Sequence, residues 1–259
     1  MAEFIIALCS AIAATLVGFA IPPLVRFFKN RSDPVTATVQ VHPIRNEESG
    51  LQYGFPEPLN LSASEIDDLN EMDRQKFLEW VQIHGGVQVG HLRLTVTISG
   101  NRSQPVEVTG IHVKKTCKEP LTGAYMLGLS GLGEGPVIGM AFDLKEPVPV
   151  AHKYVNYEPS GNYFNEKKIS LAPNEQQTLI ITVSSDNKYC SFTFEMAVVD
   201  AGRVATVTID DHGRPFALTP DLTNHDETHL YAAYRDLYLG GVITGGDWVR
   251  ENPAAYGPW

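Results

Sequence analysis

The chain has 259 residues, 43% of them hydrophobic, with 20 Lys and Arg against 30 Asp and Glu and a formal net charge of −10 at pH 7. That apolar content is ordinary for a globular protein and allows a full core. A strongly acidic chain repels phosphate backbones, so nucleic acid is excluded as an expected partner, and the charge serves mainly solubility.

The first element is the apolar stretch Phe4 to Leu24 (FIIALCSAIAATLVGFAIPPL), which holds no charged residue and is followed at once by Arg26, Lys29 and Arg31. A helix needs about 20 such residues to cross the hydrocarbon core, and this run has that length. A cleavable signal peptide calls for basic residues ahead of the apolar core, whereas the side-chain charge there is Glu3. Lipidation at Cys9 is disfavoured by the bulky Leu8 before it. A buried core helix of this length would carry a polar stripe. The stretch therefore predicts a single-pass transmembrane helix, with residues 1–31 forming the anchor and its basic flank. Basic residues stay in the cytoplasm, so the flank places the main domain on the cytoplasmic side of the cell membrane. Roughly 230 residues remain beyond the anchor, enough for one large domain or two small ones.

Residues 32–86 read as a first strand, a linker and an amphipathic helix. Val35, Ala37, Val39 and Val41 alternate with Thr36, Thr38 and Gln40, the pattern of a half-buried strand. Pro43 to Asn60, rich in Pro, Gly and Glu, reads as a linker or long loop. Ser62 or Ser64 caps a helix with Glu65, Asp67 and Asp68 in its first turn and Ile66, Leu69, Phe77, Trp80 and Val81 on its apolar face. Gly85-Gly86 ends it.

Residues 87–219 read as a β-sandwich core. Leu92, Leu94, Val96 and Ile98 alternate with Arg93, Thr95 and Thr97, and Gly100-Asn101 signals a turn into a return strand. Val106 and Val108 are out of phase with Ile111 and Val113, which places a bulge at Gly110. Val137 to Leu144, Thr178 to Val183, Cys190 to Val199 and Val204 to Ile209 are further strands, the last two joined by a short hairpin at Asp200-Ala201-Gly202. Short strands with turn signals between them, and no recurring repeat, predict a mainly β chain with an immunoglobulin-like β-sandwich and one or two short helices. Residues 220–259 read as a C-terminal helix over Thr223 to Leu239, followed by an aromatic tail.

The segments VTGIHVKKTCKEPLTG and CSFTFEMAVVDAGRVATVTIDDHGRPF resemble parts of uncharacterised bacterial single-pass membrane proteins that carry a β-sandwich domain after the helix. The motifs are Cys117 with Leu121-Thr122-Gly123, Cys190 opening a strand, and Asp211-His212-Gly213-Arg214-Pro215-Phe216, and the likeness covers residues 87–218. The resemblance implies the anchor-plus-sandwich architecture and no activity.

Cys117 and Cys190 each lie at a strand edge and are the disulfide candidates. In an oxidising compartment they would bond and the domain would lie outside; in the cytoplasm both would remain thiols. His225 and His229 are the metal candidates, because residues four apart share one helical face. Asp226, however, follows His225 where the metalloprotease motif needs Glu. Ser130 to Gly135 is glycine-rich but leads into a strand, not the helix N-terminus that a phosphate cradle uses. Asp210-Asp211-His212 has turn composition. No catalytic constellation and no cofactor site is read. Tyr154, Tyr157, Tyr163 and Phe164 crowd one loop, while Tyr231, Tyr234, Tyr238, Trp248 and Trp259 crowd the tail and are the interface candidates, aromatics being favoured at interface centres.

The expected function is a membrane-anchored interaction module, held in the bilayer by Phe4–Leu24 and binding an unidentified protein partner. The alternatives are a metal-dependent hydrolase using His225 and His229 and a structural accessory subunit of a membrane complex.

Overall fold

Strict alternation builds the frame. The computed structural model describes residues 32–42, 51–129, 138–155, 158–223, 229–241, 244 and 246–256. The apolar stretch Phe4–Leu24, its basic flank and the glycine-rich Ser130–Gly135 lie outside them. Among the described residues no helix is long and apolar enough to cross a membrane.

The described strands form a six-stranded and a ten-stranded sheet. In the smaller sheet β1 (Val35–His42) pairs with β4 (His91–Gly100), which pairs with β11 (Gln176–Ser184). Next come β7 (Ile138–Asp143), parallel to β11, then β8 (His152–Val155) and β9 (Glu158–Asn162). In the larger sheet β5 (Val106–Lys118) lies between β10 (Ile169–Leu171) and β12 (Tyr189–Asp200). The far side of β12 is shared by β13 (Arg203–Ile209) and β14 (Phe216–Thr219). From β14 the sheet continues through β3 (Val87–Val89), β2 (Leu51–Phe55), β6 (Ala124–Leu129), β15 (Asp236–Gly241) and β16 (Gly246–Glu251).

The two sheets pack face to face. Leu92, Leu94, Val96 and Ile98 of β4, with Leu179, Ile181 and Val183 of β11, meet Val108, Ile111 and Val113 of β5 and Phe192, Phe194, Met196 and Val198 of β12 in one buried cluster. The expected bulge is present: Ala197 pairs with Gly110 and Val198 with Val108, so Thr109 is the extra residue that returns Ile111 to the inner face. The hairpin at Ala201-Gly202 has positive φ at both central residues (49° and 80°), the twist that matches flanking strands. By contrast, Gly100-Asn101 does not make a hairpin. β4 and β5 lie in different sheets, and the segment between them crosses from one layer to the other.

The single helix expected after Leu61 is two helices, α1 (Ala63–Asn70) and α2 (Arg74–Ile83). Ser62 caps α1 through a reciprocal pair with Glu65, and Asp73 caps α2 by accepting from the Lys76 N–H at 2.9 Å. A second cap so close to the first is what divides the run. Both helices cover the β2–β6–β15 part of the larger sheet, burying Leu69, Phe77 and Val81 against Tyr53, Phe55, Met126 and Tyr238. A third, short helix, α3 (Tyr163–Glu166), buries Tyr163 against the main core.

The expected linker contains β2, whose strand runs through Leu51 to Phe55. Just beyond it the backbone of Glu57 crosses Gly123 so closely that a Cβ there would fall 2.2–2.4 Å from Glu57 backbone atoms. Gly123→Ala is expected to destabilise the fold by about 1–3 kcal/mol, because backbone and not a flexible side chain must move. Gly110→Ala, whose Cβ would meet nothing closer than 3.9 Å, is the matched control for a urea midpoint comparison. Equal midpoints for the two variants would refute the crossing as a tight contact.

Candidate functional site

The tail aromatics are core residues. Tyr231 and Tyr234 are 3% exposed and Tyr238 is fully buried. Their hydroxyls serve the backbone: Tyr234 accepts from the Leu222 N–H at 3.1 Å and Tyr238 from the Leu61 N–H at 3.0 Å. Burial pushes the Tyr231 phenol up to about 12 and raises Tyr234 and Tyr238 in the same direction. Trp248 is half-buried, stacked on Phe77 at 5.4 Å and held by Asn70, whose amide bonds both the N–H and the carbonyl of Trp248. These residues close the larger sheet and do not form an outward interface; Trp259 lies outside the described residues. Of the other aromatic group, Tyr163 is buried, and Tyr157 lies outside.

The C-terminal helix is also corrected. Its described part consists of turns through Tyr231 to Ala233 and then strand β15, which runs parallel to β6. Beyond Asp236, whose carboxylate pairs with Arg250 at 2.6 Å, this strand is flanked on both sides and buried on both faces, so it carries no polar alternation and its Leu and Tyr spacing imitates a helix. His229 stands exposed before these turns, and His225 lies outside the described residues, so no shared helical face is described for the pair. Among the described residues there is no group of three or more His, Cys, Asp and Glu placed to hold a metal ion. Asp210-Asp211-His212 forms a turn, with His212 at φ 54° and the Gly213 N–H donating to Asp210 at 2.8 Å.

Cys117 and Cys190 are directly opposite on β5 and β12, with Cα atoms 4.1 Å apart, and are joined by a disulfide. The bond ties neighbours within one sheet and does not link the two sheets. Cys190 is 1% exposed, and the half-buried Cys117 packs against the same core. Nearby on β5, Lys115 donates to the carbonyls of Leu144 and Glu146, and burial lowers its pKa despite the opposing pull of Asp143 and Glu146.

A different feature faces outward. Sheet edges expose unpaired N–H and carbonyl groups, and proteins guard them with charge, proline, bulges or brevity. β9 carries Pro159, β10 has 3 residues, and β16 carries Asp247, Arg250 and Glu251. β1 has 8 residues (VTATVQVH), no Asp, Glu, Lys, Arg or Pro, and a register to β4 without a bulge. Among the described residues no strand pairs with its other side. Thr36, Thr38 and Gln40 are exposed, Val41 is 42% exposed, and the inward Ala37 and Val39 remain half-buried. β13 lies beside β1 and likewise pairs on one side, with Val204 71% exposed. One side of the sandwich therefore presents two nearly uncharged strand edges. An added strand can hydrogen-bond to β1 while its side chains complete the cover over Ala37 and Val39.

No protein-family model and no curated protein matches the chain.

Proposed function

We propose that the chain is a single-pass, membrane-anchored interaction module in which an immunoglobulin-like sandwich binds a protein partner by strand addition along β1. The observation that carries this reading is the long edge of β1, without Asp, Glu, Lys or Arg, which no strand pairs among the described residues, whereas β9, β10 and β16 are short or guarded. Main-chain pairing supplies affinity in such complexes, and the alternating pockets supply selectivity. The strands shared between two face-to-face sheets support the immunoglobulin-like comparison, while the parallel β7–β11 pair and the helix-covered extension of the larger sheet go beyond that plan. The anchor is Phe4–Leu24, as read from its length and lack of charge.

The disulfide bears on which side the domain occupies. Such bonds persist in oxidising compartments and are rare in the cytoplasm, so the Cys117–Cys190 bond supports a domain outside the cytoplasm, against the inference from the basic flank. In intact cells a membrane-impermeant maleimide is expected to label the half-buried Cys117, and only after reduction. Labelling without reductant, and only in broken cells, would return the domain to the cytoplasm.

Strand addition is tested by a photo-crosslinking residue at Thr36 in native membranes, with and without Thr38→Lys and Gln40→Lys. Both lysines replace exposed side chains, so the fold is retained. A crosslinked protein is expected from the original edge and is lost with the lysines. A product that survives both lysines would exclude β1 as the contact.

A further inference from the structure

The chain enters the sandwich through a fixed joint. Arg102, 7% exposed, donates through Nε to Asp200 at 2.6 Å, through Nη1 to the Asp33 carbonyl at 3.1 Å and through Nη2 to the Ser32 carbonyl at 2.7 Å. Beside it the Asn101 N–H donates to the Pro34 carbonyl at 2.9 Å, and its side-chain amide to Ser32 and Asp33. A buried guanidinium whose donors are taken by a carboxylate and by main-chain carbonyls is a strong, geometrically exact clamp. Asp200 is the first residue of the β12–β13 hairpin turn and Asn101 follows the end of β4, so the clamp gathers Ser32–Pro34 onto one end of the sandwich.

Ser32 is eight residues beyond Leu24 (32 − 24), a reach of at most about 30 Å even fully extended. The turn after β4, the turn between β10 and β11 and the β12–β13 hairpin share this end. The register of β4 with β11 puts the loop after Ser184 at the other end, about 30 Å away along a strand of 10 residues. We propose that the clamped end faces the lipid headgroups and that Arg102 is the positioning residue that holds it there. This rests on the reading of Phe4–Leu24 as an anchor. β1 leaves the clamp at Val35, so its open edge stands away from the bilayer, toward neighbours in the same membrane.

The test uses the full chain with Cys9→Ser, placed in phosphatidylcholine vesicles that contain a headgroup-quencher lipid. A fluorophore is attached at Ser103→Cys on the clamped end or at Lys145→Cys on the far end, both exposed positions. Quenching is expected to be several-fold stronger at position 103. Chain that floats with the vesicles but is quenched equally at both positions overturns the orientation while leaving the anchor. Chain that does not float overturns the anchor and the orientation with it. Arg102→Ala, and Asp200→Asn as a milder variant, are expected to reduce the contrast. Unchanged contrast in both variants would remove Arg102 from the role.

Discussion

Replacing Cys117 and Cys190 together by alanine is expected to lower the stability of the folded chain by about 4 kcal/mol. The bond closes a loop whose ends are 73 residues apart, and in the chain-entropy model a crosslink of that span removes conformations from the unfolded chain worth that much. The native side contributes little of its own. The two cysteines are already opposite in an antiparallel register held by the bonds of β5 and β12. Urea midpoints of the oxidised wild type, the reduced wild type and the double variant measure the effect. The latter two are expected to coincide. A difference of less than about 1 kcal/mol between oxidised and reduced protein would show that the unfolded chain is already compact, so that the crosslink removes few conformations.

Phe194→Ala is expected to cost about 3–5 kcal/mol, the range for removing a large aromatic side chain from a close-packed core. Phe194 is fully buried, and its ring lies 5.1 Å from that of Phe142 on the facing sheet, 5.6 Å from Phe192 and 5.7 Å from Phe216. The truncation leaves a cavity between two sheets whose strands are fixed by their neighbours, so collapse is limited. Thr193→Ala, on the outer face of the same strand, is expected to stay within about 0.5 kcal/mol. Thermal unfolding separates the two, with a fall of roughly 10 °C for Phe194→Ala. Equal losses would place the ring outside the load-carrying part of the core.

Local pattern revealed the strands that have one wet and one dry face. β4 and β12 alternate over their whole length, and their burial alternates with them. The Ser62–Glu65 cap was legible for the same reason, because a cap is made by neighbours in sequence. What escaped depends on distant partners. β2 lies in a segment rich in turn-forming residues and becomes a strand because β3 and β6 flank it. β15 imitates a helix because it is buried on both faces. The tail aromatics looked like an interface, since sequence reports that rings are close together but not which surface covers them. The edge of β1 had half a signal: alternation identified the strand, while its having one partner among the described residues is a property of topology. Arg102 had no signal at all, its partners Ser32, Asp33 and Asp200 being scattered along the chain.

The larger sheet interleaves the two ends of the chain, with β6 held between β2, near the start, and β15, near the finish. The layer cannot be completed during synthesis until Asp236–Gly241 has emerged. Until then the parallel edge of β6 lies bare beside Tyr125 and Leu127, residues that are 1% and 8% exposed once the chain is folded. Pairing at such sequence distance is slow, and a waiting edge invites the wrong partner. A ribosome stalled before residue 236 would therefore release a chain whose first sandwich strands are in place but whose final seam is open. Chaperones should meet the nascent protein at that seam.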